Sequence, residues 1–299
     1  MGPVLDPRAA VRALARAVEP GRGGEPAGAA DVLDVDDPDP GWFGPDSAAW
    51  RLHGDAATVI AGFRALLLQA LHPLVMAGVA QHSSFRHDPW GRLDRTARFL
   101  VATVYGGTAD AERAVAVVRR VHRHVRGTAP DGRPYDAADA HLVTFVHVTE
   151  IDSFLAADRA YARRPLNRAE ADRYCAEMAV VAERLGGEPA PRTAAATRAW
   201  LAERRPELGL GRDGRATVRF LLNPPVPLLA RPAHAAVATA AVGLLPGWAQ
   251  RSLLLPAVPP VDALVVRPGV NVLLATFHWA FPSGGSLADR RARAVAAGA

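Results

Sequence analysis

The stretch AADAHLVTFVHVTEIDSFLAADRAY, Ala137–Tyr161, decides the fold class. Val143, His147, Ile151 and Phe154 follow one another at i, i+4, i+8 and i+11, a stripe along one side of an α-helix. Twenty-five residues pass without a glycine or proline, and Pro165 lies just beyond. The spacing predicts one long helix.

The neighbouring segments read the same way. Asp46 or Ser47 caps a short helix carrying Trp50 and Leu52. Ala56–Leu71 has strong helix propensity, and Pro73 breaks it after His72. A second piece continues from Leu74 to His82. Trp90–Tyr105 ends at Gly106–Gly107, and Ala109–Arg126 ends at Gly127. TAPDGRPY reads as a loop. Asn167 caps a helix to Leu185; Thr193–Glu203 and Arg215–Leu222 are shorter helices. Two or three apolar helices follow Pro227. Only Leu264–Phe277 is ambiguous, because β-branched residues favour strand there. The expected fold is all-α: a single multi-helix domain over residues 41–285, with a flexible N-terminal extension (1–40, with a short helix around Arg8–Val18) and a C-terminal tail (286–299).

Composition narrows the function. The 299 residues are 49% hydrophobic and 22% charged, with a net charge of +5. Every basic residue is arginine, scattered and often beside acids, as with Asp110, Glu112 and Arg113. No basic run is interleaved with aromatics, so a nucleic-acid partner is not expected. Cys175 is the sole cysteine, which excludes a disulfide framework and a cysteine-based zinc site. No signal peptide or membrane span is read, so a cytoplasmic location is expected. Val226–Pro256 comes closest to a span, but Arg231, Pro232, His234, Pro246 and Arg251 interrupt it. Buried helices or peripheral contact with a membrane surface explain it better.

Chemistry concentrates in histidines and arginines. His122 shares a helix face with Ala111, Val115 and Val118, while His124 falls with Arg113 and Arg120 on the polar side. A neutral imidazole on an apolar face suits an axial haem ligand, or equally a core histidine bonded to a carbonyl. His147 stands under the same two readings, and Glu150 or Asp152 could orient an imidazole nearby. Arg92, Arg95 and Thr96 point to one side of a helix. They read as an anion- or oxygen-binding face or as a solvated one. His72, at a kink, suits a structural hydrogen bond. Glu-x-x-His pairs, a P-loop, a G-x-S-x-G elbow and a GxGxxG before a helix are all missing.

The order of three motifs carries a resemblance. GPDSAAWRLHGD is followed by LLLQALHPLVMAGVAQHSSFRHDPWGRLDRT and then by VHRHVRGTAPDGRPYDAADAHLVTFVHVTEIDSF. From about Gly41 to Pro256 the chain resembles the bacterial branch of the family of rubber oxygenases (latex-clearing proteins) and MpaB-type oxygenases. The resemblance implies an all-helical, globin-like core with additional helices, haem b as cofactor, and an oxygenase using dioxygen on an apolar, isoprenoid- or lipid-like substrate. The electron donor stays unassigned. His122-Arg123-His124-Val125-Arg126 fits the family's axial His-x-x-Val-Arg context, which makes His122 the iron ligand. Arg92-Leu93-Asp94-Arg95-Thr96 matches Arg-x-x-Lys-Thr, with arginine in place of lysine. Arg92, Arg95 and Thr96 would then line the distal side, stabilising dioxygen or anchoring a propionate, with His147 as the second pocket histidine. Met76 and Gln81 stand where the rubber oxygenases' distal glutamate would be sought. A haem sensor or carrier without turnover, a cofactor-free lipid- or partner-binding protein and a non-haem iron enzyme remain alternatives.

Overall fold

The computed structural model describes residues 33–83, 89–255, 267–280 and 287–298. The long helix expected from the sequence spans Ala140–Tyr161 (α6). Asp139 sets its start: the carboxylate accepts the N–H groups of His141 and Leu142, which have no partner within the helix. Phe145, Val148, Ile151 and Ala157 are all buried, so α6 is covered on most of its circumference. A helix buried all round is the core of a larger assembly of helices.

The remaining helices are α1 (Ala48–His53), α2 (Thr58–Gln69), α3 (Pro73–His82), α4 (Pro89–Tyr105), α5 (Thr108–His122), α7 (Arg168–Leu185), α8 (Ala194–Glu203), α9 (Arg212–Leu222), α10 (Arg231–Gly243), α11 (Gly247–Ser252), α12 (Arg267–Ala280) and α13 (Leu287–Gly298). Their largest shared face joins α2 and α6; α10 packs on α2, and α7 and α8 pack on α6. Helices α4 and α5 pair with each other, and α3 meets α9. The fold is all-α, as expected.

Local chemistry explains the boundaries. Ser47 caps α1 by accepting the Trp50 N–H. Asn167 and Glu170 form a reciprocal capping box on α7, which ends at Gly186 in the left-handed conformation (φ +97°). Between α2 and α3 the chain bends by 106° at His72–Pro73. Among the described residues no single helix is long and apolar enough to cross a membrane; only this bent pair passes that test together. Its apolar residues, Ile60, Ala61, Leu67, Leu68 and Leu71, are core residues here.

Three segments differ from expectation or extend it. Helix α5 ends at His122, and the expected TAPDGRPY loop is a hairpin: β1 (Arg126–Thr128) pairs antiparallel with β2 (Pro134–Asp136). Asp131-Gly132 makes its turn, with Gly132 at φ +86°. The ambiguous stretch is helical from Arg267 onward. Of the C-terminal residues expected as a tail, Leu287–Gly298 forms α13. There Arg291, fully buried, donates to the carbonyls of Tyr105, Asp37 and Asp39. The helix expected at 8–18 lies outside the described residues. Of the N-terminal extension, residues 33–40 are described, and Leu33 is in the core.

A second buried arginine ties the centre. Arg64 on α2 is 3% exposed. Its Nη2 pairs with Asp152 Oδ2 at 2.7 Å, its Nη1 donates to Ser153 Oγ at 2.7 Å, and its Nε donates to the Leu244 carbonyl at 2.9 Å. One guanidinium thereby links α2, α6 and the end of α10. Replacing Arg64 with alanine strands the Asp152 carboxylate in a site largely closed to water. We expect a loss of about 3–5 kcal/mol in urea unfolding. Arg98→Ala, which breaks a half-exposed i, i+4 pair with Asp94, should cost only about 0.3–0.5 kcal/mol. Equal midpoints for the two variants would rule out Arg64 as the central tie.

Candidate functional site

His122 is the last residue of α5. The face below it is apolar as read from the sequence: Ala111 and Val115 are buried. The imidazole is half-buried, and burial lowers its pKa, partly offset by the nearby Asp136 carboxylate. Its Nδ1 is shut off from water and has no hydrogen-bond partner among the described residues. His124 lies on the exposed side, against the Arg120 carbonyl.

The hairpin begins directly after His122. Ala137 N–H donates to the Val125 carbonyl, closing the strands beneath the end of α5. Tyr135, at the centre of β2, is buried with Ala77 and Ala129. Its hydroxyl donates to Gln81 Oε1 at 2.7 Å and lies 3.0 Å from His82 Nε2. Gln81 Nε2 donates to the Thr128 carbonyl at 2.9 Å. The hairpin is therefore fixed to the C-terminal end of α3. Gly127 makes that approach possible, because a Cβ there would stand 2.7 Å from the Tyr135 hydroxyl.

Arg92 joins the same network. Its Nη1 donates to Ser83 Oγ, just past α3, at 2.8 Å. Burial, together with the neighbouring positive charge of Arg95, lowers the Arg92 pKa. Among the described residues no carboxylate pairs with Arg92. Arg95 and Thr96 lie at the exposed side of α4, and the Thr96 hydroxyl donates to the Arg92 carbonyl. Arg92, the end of α3, the hairpin and the segment leaving His122 thus form one connected unit. The unit carries an imidazole whose pKa is lowered at the end of α5 and, on α4, a guanidinium that pairs with no carboxylate among the described residues.

His147 lies elsewhere, in the middle of α6. Val143, Ile151 and Phe154 are buried with it, as the stripe requires. Burial drives its pKa down to about 4, with a weaker opposing pull from the Met178 backbone, and its Nε2 has no hydrogen-bond partner among the described residues. One turn on, burial pushes the Glu150 carboxyl up to about 7, with Gln69 pulling the other way. Asp152, a candidate to orient a histidine, is committed to Arg64. Sequence reasoning missed Tyr135 and the buried pair Tyr174–His53, whose Oη and Nε2 lie 3.2 Å apart. The Asp-Gly turn flanked by a tyrosine could have revealed the hairpin; the Tyr174–His53 pair leaves no local signal.

The buried imidazoles set a pH dependence. His53, His72 and His147 are each held at about 4 by burial, against about 6.5 in the unfolded chain. Between those values the unfolded chain takes up protons that the folded one refuses, so stability falls with pH there. Glu150, protonated in the fold below about 7, works in the opposite direction. The lowered imidazoles, with His122 and His234 shifted the same way, outnumber the raised carboxyls of Glu150 and Asp158, so the net effect is a loss of stability as pH falls from about 6.5 toward 4. Urea midpoints between pH 7 and 5 should therefore fall steadily. A flat or rising profile would contradict the buried neutral histidines.

The catalytic-domain model of the ER-bound oxygenase mpaB/B'/rubber oxygenase family matches residues 50–279. No curated protein and no solved structure matches the chain. The match runs from Trp50 on α1 to Trp279 on α12, through Arg92, His122 and His147. On that span, the chain belongs to the mpaB/rubber oxygenase catalytic-domain family, a family of oxygenases.

Proposed function

We propose that the protein is a haem b-dependent oxygenase that acts with dioxygen on an apolar, isoprenoid- or lipid-like substrate. The observation that carries this reading is His122, a half-buried imidazole whose pKa burial lowers and whose Nδ1 has no hydrogen-bond partner among the described residues. Trp42, Trp50, Asp110 and His147 also hold buried atoms without a hydrogen-bond partner among the described residues. An indole N–H only donates and cannot ligate a metal. Of the two imidazoles, His122 stands in the His-x-x-Val-Arg context of the resemblance, and on that ground it is the residue that would hold the haem iron, with His147 as the alternative.

When bound, haem b supplies the redox-active iron needed for dioxygen chemistry. The protein's own contributions are positional and electrostatic. His122 would hold the iron from one side, and burial keeps the ring neutral for that purpose. Arg92, anchored by Ser83 and paired with no carboxylate among the described residues, would offer its charge to a propionate or to an oxygen species. Arg95 and Thr96 follow on the same side of α4, and His147, apart from them in the middle of α6, is the alternative iron ligand. Substrate contact falls to the apolar segment 225–256, where Leu228, Leu229 and Leu254 are exposed. The same residues support peripheral contact with a membrane surface by a protein otherwise working in the cytoplasm.

The test is the visible spectrum of protein expressed with ample haem precursor. An intense Soret band that shifts on reduction with dithionite is expected. His122→Ala should lose most of the haem, whereas His124→Ala, two residues on and exposed, should keep it. Full haem retention in His122→Ala would reject that ligand. A colourless protein that takes up no added hemin would reject the oxygenase reading in favour of a cofactor-free lipid-binding one. Haem without substrate-dependent dioxygen consumption would leave a sensor or carrier.

A further inference from the structure

At the opposite end of α3 from Ser83, three segments distant in sequence bring ligating side chains together. His72 precedes α3, His141 lies in the first turn of α6, and Glu207 closes the 3-10 turn Arg205–Glu207 after α8. One donor atom from each lies within 4.8 Å of the other two. His141 Nε2 stands 2.6 Å from Glu207 Oε2, and His72 Nε2 stands 3.9 Å from the same oxygen. Neighbouring ligands of a tetrahedral zinc ion, each about 2.1 Å from the metal, are roughly 3.4 Å apart. The observed spacings fall on either side of that value. A shift of about an ångström by the half-exposed Glu207 side chain would equalise them.

The ligands are held from behind. The Gly209 N–H donates to the Leu71 carbonyl at 2.7 Å, placing the 3-10 turn beside His72. The Glu188 N–H donates to the Ala140 carbonyl at 3.4 Å, placing Glu188 beside His141. The His72 ring, 3% exposed, packs on Phe145, and the His141 ring packs on Trp200. Glu188 Oε2 lies 3.7 Å from His141 Nδ1. A carboxylate behind one ring nitrogen while the other faces the ion is the usual support of a metal-bound histidine. His72 Nδ1 caps α3 through a bond of 3.5 Å to the Val75 N–H. That bond is long, so little is lost if the proton moves to Nδ1 and Nε2 turns to a metal.

We infer that His72, His141 and Glu207 form a binding site for one first-row divalent cation of the zinc type, with Glu188 positioning His141. Two imidazoles and one carboxylate suit zinc and its neighbours rather than calcium or magnesium, which take oxygen ligands. Glu207 is 40% exposed, so solvent can complete the coordination. The ion would join the starts of α3 and α6 to the turn after α8. The site shares no residue with the His122 network and stands independently of the haem proposal.

Isothermal titration of Zn²⁺ into the full-length, chelator-treated protein tests it. One equivalent should bind. His141→Ala and Glu207→Gln should each weaken binding at least 100-fold. Glu188→Gln should weaken it roughly tenfold, as supporting carboxylates do, and His124→Ala should leave it unchanged. Calcium should give no saturable binding. Absence of zinc binding, or wild-type affinity in His141→Ala and Glu207→Gln, would overturn the assignment. If His141→Ala loses its helical circular dichroism, the surface change Glu207→Gln decides alone. The Soret band of the same samples reads the haem proposal separately, since none of these substitutions touches His122 or Arg92.

Discussion

A guanidinium buried among helices cannot be left unpaired, and the core is arranged around that requirement at Arg64. Taking such a charge out of water costs several kcal/mol unless every side of the fork meets an acceptor. The carboxylate and hydroxyl of Asp152 and Ser153 come from α6, and the third acceptor is the carbonyl of Leu244. Apolar packing between α2 and α6 tolerates sliding and rotation; the fork does not. It sets the register of α6 relative to α2 and brings in the end of α10. Arg291 acts in the same way at the periphery, where three backbone carbonyls close the fork and hold α13 against the end of α4.

With α6 fixed, its polar residues must be satisfied inside the core. Ser153 and Thr144 donate to carbonyls four residues back, and Thr149 donates to Val146. Gln69 on α2 reaches the Thr149 hydroxyl. These hydroxyls consume their own capacity locally and leave little for the titratable neighbours. Burial therefore decides how those neighbours ionise: His147 stays neutral and Glu150 holds its proton near neutral pH. Among the described residues the Arg64–Asp152 pair is the charged tie in the middle of α6, and Asp158, buried nearer its end, accepts the Leu166 N–H.

The helical fold was legible because its signals are local and redundant. Asn167 and Ser47 cap where their side chains predict, Pro73 and Gly186 interrupt where their backbones require, and Asp139 starts the long helix at Ala140, three residues after the expected Ala137. The inward faces of α5 and α6 followed from spacing alone, so Val115 and His147 are buried as read. The hairpin has a local signal in its Asp131-Gly132 turn, but its anchoring does not: Tyr135 reaches Gln81 and His82, more than fifty residues earlier in the chain. Arg64 and Arg291 escaped for the same reason: nothing beside either residue in the sequence marks it as buried. For the residues named from the sequence as a candidate site, the helix faces were readable and the connectivity was not. The sequence places Arg92, Arg95 and Thr96 on one helix side, yet only the fold separates Arg92, tied to Ser83, from its two exposed neighbours.

Helix α3 connects these observations. Its ten residues span about 15 Å, with His72 at one end and Gln81, His82 and Ser83 at the other. The first end is packed against α6 through Phe145 and against the turn after α8. The second holds the hairpin and Arg92. A short helix is stiff along its axis, so anything that fixes the His72 end limits where Ser83 and Gln81 can lie. Arg92 meets this rod through Ser83, while α4 and α5 also pair directly with each other, so the rim of the site is braced both by the end of α3 and by the contact between those two helices.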